Sequence, residues 1–270
     1  MWELSLDKPT QMKTELSDES ADPLPPDQID LQRTALLLDV DGTLLEIAAT
    51  PKDVVVPPAL RGTLKQLLER SGGAVALVSG RTIETLDRLF RPLRLPAIGQ
   101  HGAEMRLSGD GPLLQNPALL SRELRSRIHL LAKVDRRILI EEKSHSMAVH
   151  YRRAFQHEAF LKNEVAEIVA AEAEPDKVEF MFGNAVIDIK PTIFSKGSSV
   201  RKMMASAPFA VHRLVFIGDD TTDESVFAIL PELNGLGFAV GRTVRGTHGT
   251  FISPAHVRSW LARVASSARR

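Results

Sequence analysis

The chain has 270 residues, of which 43% are hydrophobic and 25% charged, an ordinary globular mix sufficient for one large domain or two smaller ones. Lys+Arg and Asp+Glu balance at 34 each, which argues against a broad nucleic-acid surface, since that needs a basic excess. The absence of cysteine excludes disulfides, thiolate catalysis and cysteine zinc sites.

Residues 1–33 are polar, acidic and proline-bearing and read as a flexible tail. They lack the basic segment and apolar core of a secretory signal, and no apolar run in the chain reaches transmembrane length. A cytoplasmic location is the default expectation, with no membrane or nucleic-acid partner. The sequence does not fix the oligomeric state, and a monomer is the default.

From Ala35 the pattern changes. "TALLLDVDG" is a short apolar run closed by glycine, as expected of a strand buried on both faces. "PPALRGTLKQLLER" sets Leu60, Leu64, Leu67 and Leu68 on one helical face. "GAVALVSG" reads as a second buried strand and "TIETLDRLF" as a second helix, with Ile83, Leu86, Leu89 and Phe90 at helical spacing. "PAIGQHGAE" reads as a third strand and its loop. Strand and helix alternate, so the expected core is a parallel sheet covered on both faces.

The middle differs. A helix carrying Leu120, Leu124, Ile128 and Leu131 precedes two adjacent strands, "ILIEEK" and "SMAVHYR". The helix "HEAFLKNEVAEIVAAEAE" and the strand "NAVIDIK" follow. Two strands joined by a short turn imply antiparallel pairing. The expected organisation is a core of residues 34–109 and 192–270, interrupted by an inserted α+β unit of residues 110–191. After the insert, "KGSSVRKMMA" opens a helix, "RLVFIGDD" is a buried strand, "TDESVFAIL" a helix and "GLGFAVG" a strand. "PAHVRSWLARVA" closes the chain as a helix with Val257, Trp260, Leu261 and Val264 on its apolar face.

Ligands of open α/β sheets sit beyond the carboxyl ends of the strands. Those ends carry Asp39 and Asp41, then Ser79, Gly80 and Arg81, then Asp219 and Asp220 with Asp223 close behind, while Lys196 opens the helix after the insert. Gathered carboxylates repel one another unless a cation neutralises them, and oxygen ligands that retain water suit Mg²⁺. Such a set can make an aspartyl-phosphate. One carboxylate attacks phosphorus, a lysine and a metal offset the meeting of two anions, and a second carboxyl group protonates the leaving oxygen and then activates water. Thr43 and the N–H groups of its loop can hold phosphoryl oxygens. Plainer roles stand beside these. The aspartates after "VFIG" suit a helix cap, and a lysine at a helix start is disfavoured by the dipole. Arg81 suits phosphate or a surface acid, and His101 suits substrate contact or bracing of its loop. Glu141 and Lys143 could be a surface pair, and His150 with Arg152 suits either sugar binding or a contact between insert and core.

In this order "DVDGT", "VSGR", "SKG" and "GDDTTDE" resemble the motifs of the haloacid dehalogenase superfamily of phosphatases. "GQHGAE", "EEKSHSMAVHYR", "IDIKPTIFSKG" and "GDDTTDESVF" are similar to its trehalose-6-phosphate phosphatase branch, and the resemblance runs from about residue 35 to residue 262. It implies a Rossmann-like core with an α/β cap and a Mg²⁺-dependent phosphatase that takes a small sugar phosphate. It implies Asp39 as nucleophile and metal ligand, and Asp41 as general acid/base with its main-chain carbonyl on the metal. Lys196 matches the neutralising lysine and Asp219 a metal ligand, with Asp220 and Asp223 in support. Thr43 and Ser79 match phosphoryl contacts, within motifs that also supply Gly80 and Arg81. His101, Gly102 and Glu104 match their motif, whereas Gln100 varies within it. Glu141 and Lys143 match sugar-binding residues in the cap. At the third such position Asp188 stands where the family usually has glutamate, one methylene longer. The alternatives are a phosphatase for sucrose phosphate or another sugar phosphate, a non-catalytic sugar-phosphate sensor, and a receiver-type phosphoacceptor, for which the chain is about twice too long.

Overall fold

The computed structural model describes residues 22–48, 50, 53–115 and 120–267. The core half-sheet begins with β1 (Thr34–Leu38), followed by α1 (Pro58–Arg70), β2 (Val75–Val78), α2 (Ile83–Phe90), β3 (Ala97–Gly99), β4 (Glu104–Arg106) and β5 (Leu114–Gln115). The insert contributes α3 (Arg122–Leu130), β6 (Leu139–Glu142), β7 (Met147–His150), α4 (Glu158–Ala170), β8 (Val178–Gly183) and β9 (Val186–Pro191). The chain then returns through α5 (Lys196–Met204), β10 (Arg213–Gly218), α6 (Glu224–Phe227), β11 (Leu236–Val240), β12 (Gly249–Phe251) and α7 (Pro254–Ser266). Among these residues no helix is long and apolar enough to cross a membrane.

The core is one sheet of order β12-β11-β10-β1-β2-β3-β4-β5, parallel from β12 to β3 and antiparallel at the β4–β5 edge. The central strands are apolar throughout because both faces are covered. Leu36, Leu38, Val75, Leu77, Val215 and Ile217 face α1, α2 and α7, while Leu37, Ala76, Val78, Leu214 and Phe216 face α5 and α6. Strand order reverses between β1 and β10, so the crevice at their carboxyl ends is where a ligand sits.

The insert is a four-stranded antiparallel sheet of order β6-β7-β9-β8. Its register sorts the side chains. Ile140, Val149 and Ile187 align in one row and Met147, Ile189 and Phe180 in another, all packed in the apolar cluster with α3 and α4. The alternate rows turn to the other face, where Glu141, Ala148 and Asp188 align across three strands.

Three expectations need correction. The tail was expected to run to residue 33, but residues 22–33 pack against α7. The Trp260 indole donates to the Leu24 carbonyl at 2.6 Å, Asp22 meets Arg263 and His256, and Leu31 is buried. Residues 1–21 lie outside the described residues. The insert was expected from residue 110, but Leu114–Gln115 pairs with β4 and extends the core sheet. "GAE" was read as loop, yet Glu104–Arg106 returns as β4 because a tight turn at 100–102 reverses the chain. β8 and β12 were not expected as strands.

Candidate active site

Asp39 directly follows β1, its N–H bonded to the Ile217 carbonyl of β10 at 2.9 Å, so its carboxylate stands at the crossover point. Lys196 begins α5, its helix capped by the Ser195 hydroxyl accepting from Ser198 N–H. The lysine is 3% exposed, and its Nζ lies 2.7 Å from both Asp39 Oδ1 and Asp223 Oδ1. Three carboxylates, Asp39, Asp219 and Asp223, bring oxygens within 4.8 Å of one another.

One lysine does not neutralise three acids. Burial pushes the Asp39 carboxyl well up; Lys196 pulls it down, but Asp223 and Asp219 add to the rise. Burial, with the charge of Asp223, also pushes Asp219 up to about 6. Burial works against the charge on Lys196, yet Asp223 and Asp39 outweigh it and hold the lysine protonated far above its usual range. The cluster thus holds more carboxyl groups than its one lysine can balance. Both oxygens of Asp223 already accept, one from Lys196 and one from Asp220 N–H at 3.0 Å. The carboxylates of Asp39 and Asp219 are therefore the ones suited to a cation of the hard, oxygen-seeking kind.

The remaining positions divide by where they sit. A cleft of about 440 Å³, in the usual range for small-molecule sites, is lined by Asp39, Asp41, Ser79, Gly80, Arg81, His101, Lys196, Asp219 and Asp220 below and by Glu141, Lys143, His150, Arg152 and Asp188 above. Thr43, Gly102 and Asp223 lie behind that wall. Thr43 was expected to hold phosphoryl oxygen; it is wholly buried and its hydroxyl donates to Asp219 Oδ1 at 3.1 Å, so it orients a carboxylate. Gly102 accepts from the Ser199 hydroxyl at 3.1 Å. Asp220 caps the turn that follows it, accepting from Thr221 N–H at 2.7 Å.

Asp41 stands immediately before a tight turn. Gly42 makes that turn at φ +86°, and a Cβ there would lie 2.0 Å from Asp219 Oδ2, so only glycine fits. Both Asp41 oxygens accept from Arg81, at 2.6 Å from Nε and 2.7 Å from Nη2. The Ser79 hydroxyl accepts from Arg81 N–H at 3.1 Å and shapes that loop.

The loop after β3 is tight. Gln100 and His101 are consecutive non-glycine residues at positive φ, +47° and +56°, a conformation that costs each roughly 1 kcal/mol. Main-chain bonds hold it, from Gln100 N–H to the Arg81 carbonyl at 2.9 Å and from His101 N–H to Ser79 at 3.2 Å. The His101 ring packs so closely on Gly80 that a Cβ there would approach it to 2.6 Å. His101 Nε2 is 3.5 Å from Asp188 Oδ1 of the cap. Burial drives the imidazole toward its neutral form despite Asp188. Burial likewise disfavours the Asp188 charge, but His101 and Lys143 overcome it and leave the carboxyl well below its usual range.

Cap and core meet by polar contacts. Lys143 Nζ donates to the Gly80 carbonyl at 2.8 Å, His145 N–H to Gln100 Oε1 at 3.1 Å, and Arg152 Nη1 to the Ala48 carbonyl at 2.9 Å. His150 Nε2 lies 2.9 Å from Glu141 Oε2. Burial raises the Glu141 carboxyl, while that bond and Lys143 lower it further, so the net shift is downward. Of the two roles weighed for Arg152, the structure displays the contact between insert and core.

Arg242 was missed. It follows β11, lines the cleft, and donates from Nε to the main-chain carbonyl of Asp219 at 2.6 Å. The signal was present: "AVGR" is another carboxyl end of a strand in the same sheet.

Comparison with known proteins gives the family of the chain. The family model described as trehalose-phosphatase matches residues 37–251. A probable trehalose-phosphate phosphatase of Sinorhizobium fredii is 37% identical over 240 residues, covering 87% of this chain and 89% of that protein. The trehalose-6-phosphate phosphatase of Escherichia coli is 35% identical over 234 residues, covering 86% of this chain and 87% of that protein. Among solved structures, the C-terminal domain of Candida albicans trehalose-6-phosphate phosphatase superimposes with a TM-score of 0.78 at 22% identity over 88% of this chain and 93% of that one, a likeness of fold.

Proposed function

The chain belongs to the trehalose-phosphatase family, and from that premise we propose that it hydrolyses trehalose 6-phosphate to trehalose and phosphate through an aspartyl-phosphate on Asp39. The observation that carries this reading is the buried Asp39–Lys196–Asp223 cluster at the floor of a cleft roofed by Glu141, Lys143 and Asp188. Residues 34–115 and 192–267 then act as the catalytic core and the insert as a substrate-recognition cap.

Lys196 holds one oxygen of Asp39 and faces the incoming phosphoryl group with a fixed positive charge. Asp39 attacks phosphorus while Asp41 gives a proton to the sugar oxygen that leaves. Asp41 then takes a proton from the water that cleaves the phospho-enzyme. Both of its oxygens are engaged by Arg81, so the proton transfer requires that pair to part, and the freed guanidinium then has a phosphate to meet. The cap supplies groups for sugar hydroxyls and shuts out bulk water. Asp188 lines the cleft and stands against His101, where it could meet a sugar hydroxyl.

The donor set fits Mg²⁺: the Asp39 and Asp219 carboxylates, with the main-chain carbonyl of Asp41, would hold it. When bound it would offset charge on the nucleophile and the phosphoryl oxygens. We further propose a cytoplasmic monomer acting on this small molecule; the zero net charge speaks against a nucleic-acid partner.

The deciding experiment is phosphate release, with Mg²⁺ and with EDTA, from trehalose 6-phosphate, sucrose 6-phosphate, glucose 6-phosphate and mannose 6-phosphate. A preference of at least about 100-fold in kcat/KM for the trehalose ester is expected. Preference for another ester would overturn the substrate, and undiminished release in EDTA would overturn the metal.

A pH prediction follows from Asp219. Its folded pKa, about 6, lies above its ordinary 3.8. The folded chain therefore keeps a proton in that window that the unfolded chain has lost. Stability of the metal-free protein falls as pH rises through it. Mg²⁺ competes with that proton, so its stabilising effect should grow over the same range. Thermal denaturation from about pH 4.5 to about pH 7.5, with EDTA or Mg²⁺, checks this. A metal-induced rise in Tm that does not change with pH would contradict it.

A further inference from the structure

We infer that Gln100 is a positioning residue that ties the sugar-facing turn of the cap to the loop of Ser79 and Arg81. Its substrate is the one proposed above, so the kinetic part of the inference rests on that reading. Gln100 is completely buried and is not among the residues lining the cleft, so it cannot touch a ligand there.

Its carboxamide has two partners of opposite kind. Nε2 donates to Glu104 Oε1 at 2.6 Å, and Oε1 accepts the His145 N–H at 3.1 Å. A carboxylate only accepts and an N–H only donates, so the amide can face only one way. Glu104 passes the connection on: its Oε2 accepts from Ile83 N–H at 2.7 Å, the first residue of α2, just after Arg81 and Thr82. The Gln100 N–H is itself bonded to the Arg81 carbonyl. On the cap side, His145 sits in the turn closed by Lys143 N–H donating to the Ser146 carbonyl at 2.9 Å. That turn follows β6, which carries Glu141.

The same turn has a second bond to the core, from Lys143 Nζ to the Gly80 carbonyl. This one is temporary if Lys143 serves a sugar hydroxyl, because the ammonium must then turn toward the ligand. The Gln100 bond is made by a main-chain donor behind the cleft and has no competing partner in the ligand. It is the contact that stays while Lys143 works. The two left-handed residues, Gln100 and His101, are what aim this carboxamide at the cap and the His101 ring at Asp188. A carboxamide is needed here. An apolar residue of equal size removes the main-chain bond of the cap turn to this loop and leaves a buried Glu104 oxygen without its Gln100 donor.

The test uses the full chain and Gln100→Met. Hydrogen exchange at the amides of 143–146 should accelerate about tenfold while the amides of β1 and β10 keep their rates. For trehalose 6-phosphate, kcat/KM should fall about tenfold, mostly through KM, with little change for p-nitrophenyl phosphate, which offers the cap no sugar. Unchanged exchange at 143–146 overturns the inference. Faster exchange in β1 and β10, or equal losses for both esters, also overturns it, since Gln100 would then merely support the core. If the methionine variant does not fold, the wild-type chain still decides. Its His145 amide must exchange at least about 100-fold more slowly than a free peptide amide, and an unprotected amide refutes the tether. Should the wild type release no phosphate from trehalose 6-phosphate, the functional reading fails while the exchange measurements still judge the tether.

Discussion

Replacing Asp39 with asparagine should reduce phosphate release by about 10⁴-fold or more without weakening the fold. The carboxamide keeps the shape of the side chain but is no nucleophile toward phosphorus. Stability should hold for a reason visible in the site. Asp39 is 4% exposed and packed among Asp219 and Asp223, where burial already disfavours its charge. A neutral amide removes one of the three mutually repelling carboxylates and still accepts from Lys196 through its oxygen. The Tm of the metal-free variant at neutral pH should therefore equal or exceed that of the wild type. Mg²⁺ should stabilise the variant less, since one ligand oxygen is gone. Steady-state phosphate release and thermal denaturation, with and without Mg²⁺, test both halves. Near-normal turnover would remove Asp39 from the nucleophile role.

Lys196→Met should do the opposite to stability. Removing the cation leaves Asp39, Asp219 and Asp223 facing one another without the counter-charge in direct contact with Asp39 and Asp223. Breaking a buried pair in this way costs about 3–5 kcal/mol. Activity should be lost as well, because nothing then offsets the approach of a phosphate dianion to a carboxylate. A second substitution separates the two effects. Adding Asp223→Asn removes a charge and keeps an acceptor for Asp220 N–H, so much of the stability should return while activity stays lost. Urea denaturation of the wild type, the single variant and the double variant measures this. A double variant no more stable than the single one would show that Lys196 acts through packing and not through its charge.

Much of this was legible in the sequence because of the geometry of parallel sheets. Buried central strands read as unbroken apolar runs, and all of them end at one edge. Listing what stands at those ends brought Asp39, Lys196, Asp219 and Asp223 together although Asp39 and Lys196 are 157 residues apart. What escaped notice did so for physical reasons. β8 pairs at the edge of the cap sheet, where Phe182 remains 42% exposed, so its segment shows neither a buried run nor clean alternation. β12 is a three-residue edge strand. Residues 22–33 are polar in composition and are ordered by three side chains of α7, His256, Trp260 and Arg263, far away in sequence. Thr43 reads as a loop hydroxyl, and only the fold shows that Asp219 lies within its reach. Gln100 stands in the stretch "GQHGAE", but nothing there marks its side chain. Its importance comes from a left-handed backbone that propensity does not predict and from a cap turn 45 residues away.

Most of the buried apolar residues of the described chain fall into three clusters, two on the faces of the core sheet and one inside the cap; none of these runs across the cleft, and Phe194 against the His145 ring lies outside them. Opening the cap therefore exposes rather little hydrocarbon and mainly exchanges hydrogen bonds to protein for hydrogen bonds to water. Heat capacity tracks the apolar area that meets water, so the balance between open and closed cap should carry a small heat-capacity change. Its enthalpy would then be nearly constant, and a van't Hoff plot of cap closure close to a straight line, over the temperatures at which the fold itself follows a curved stability profile.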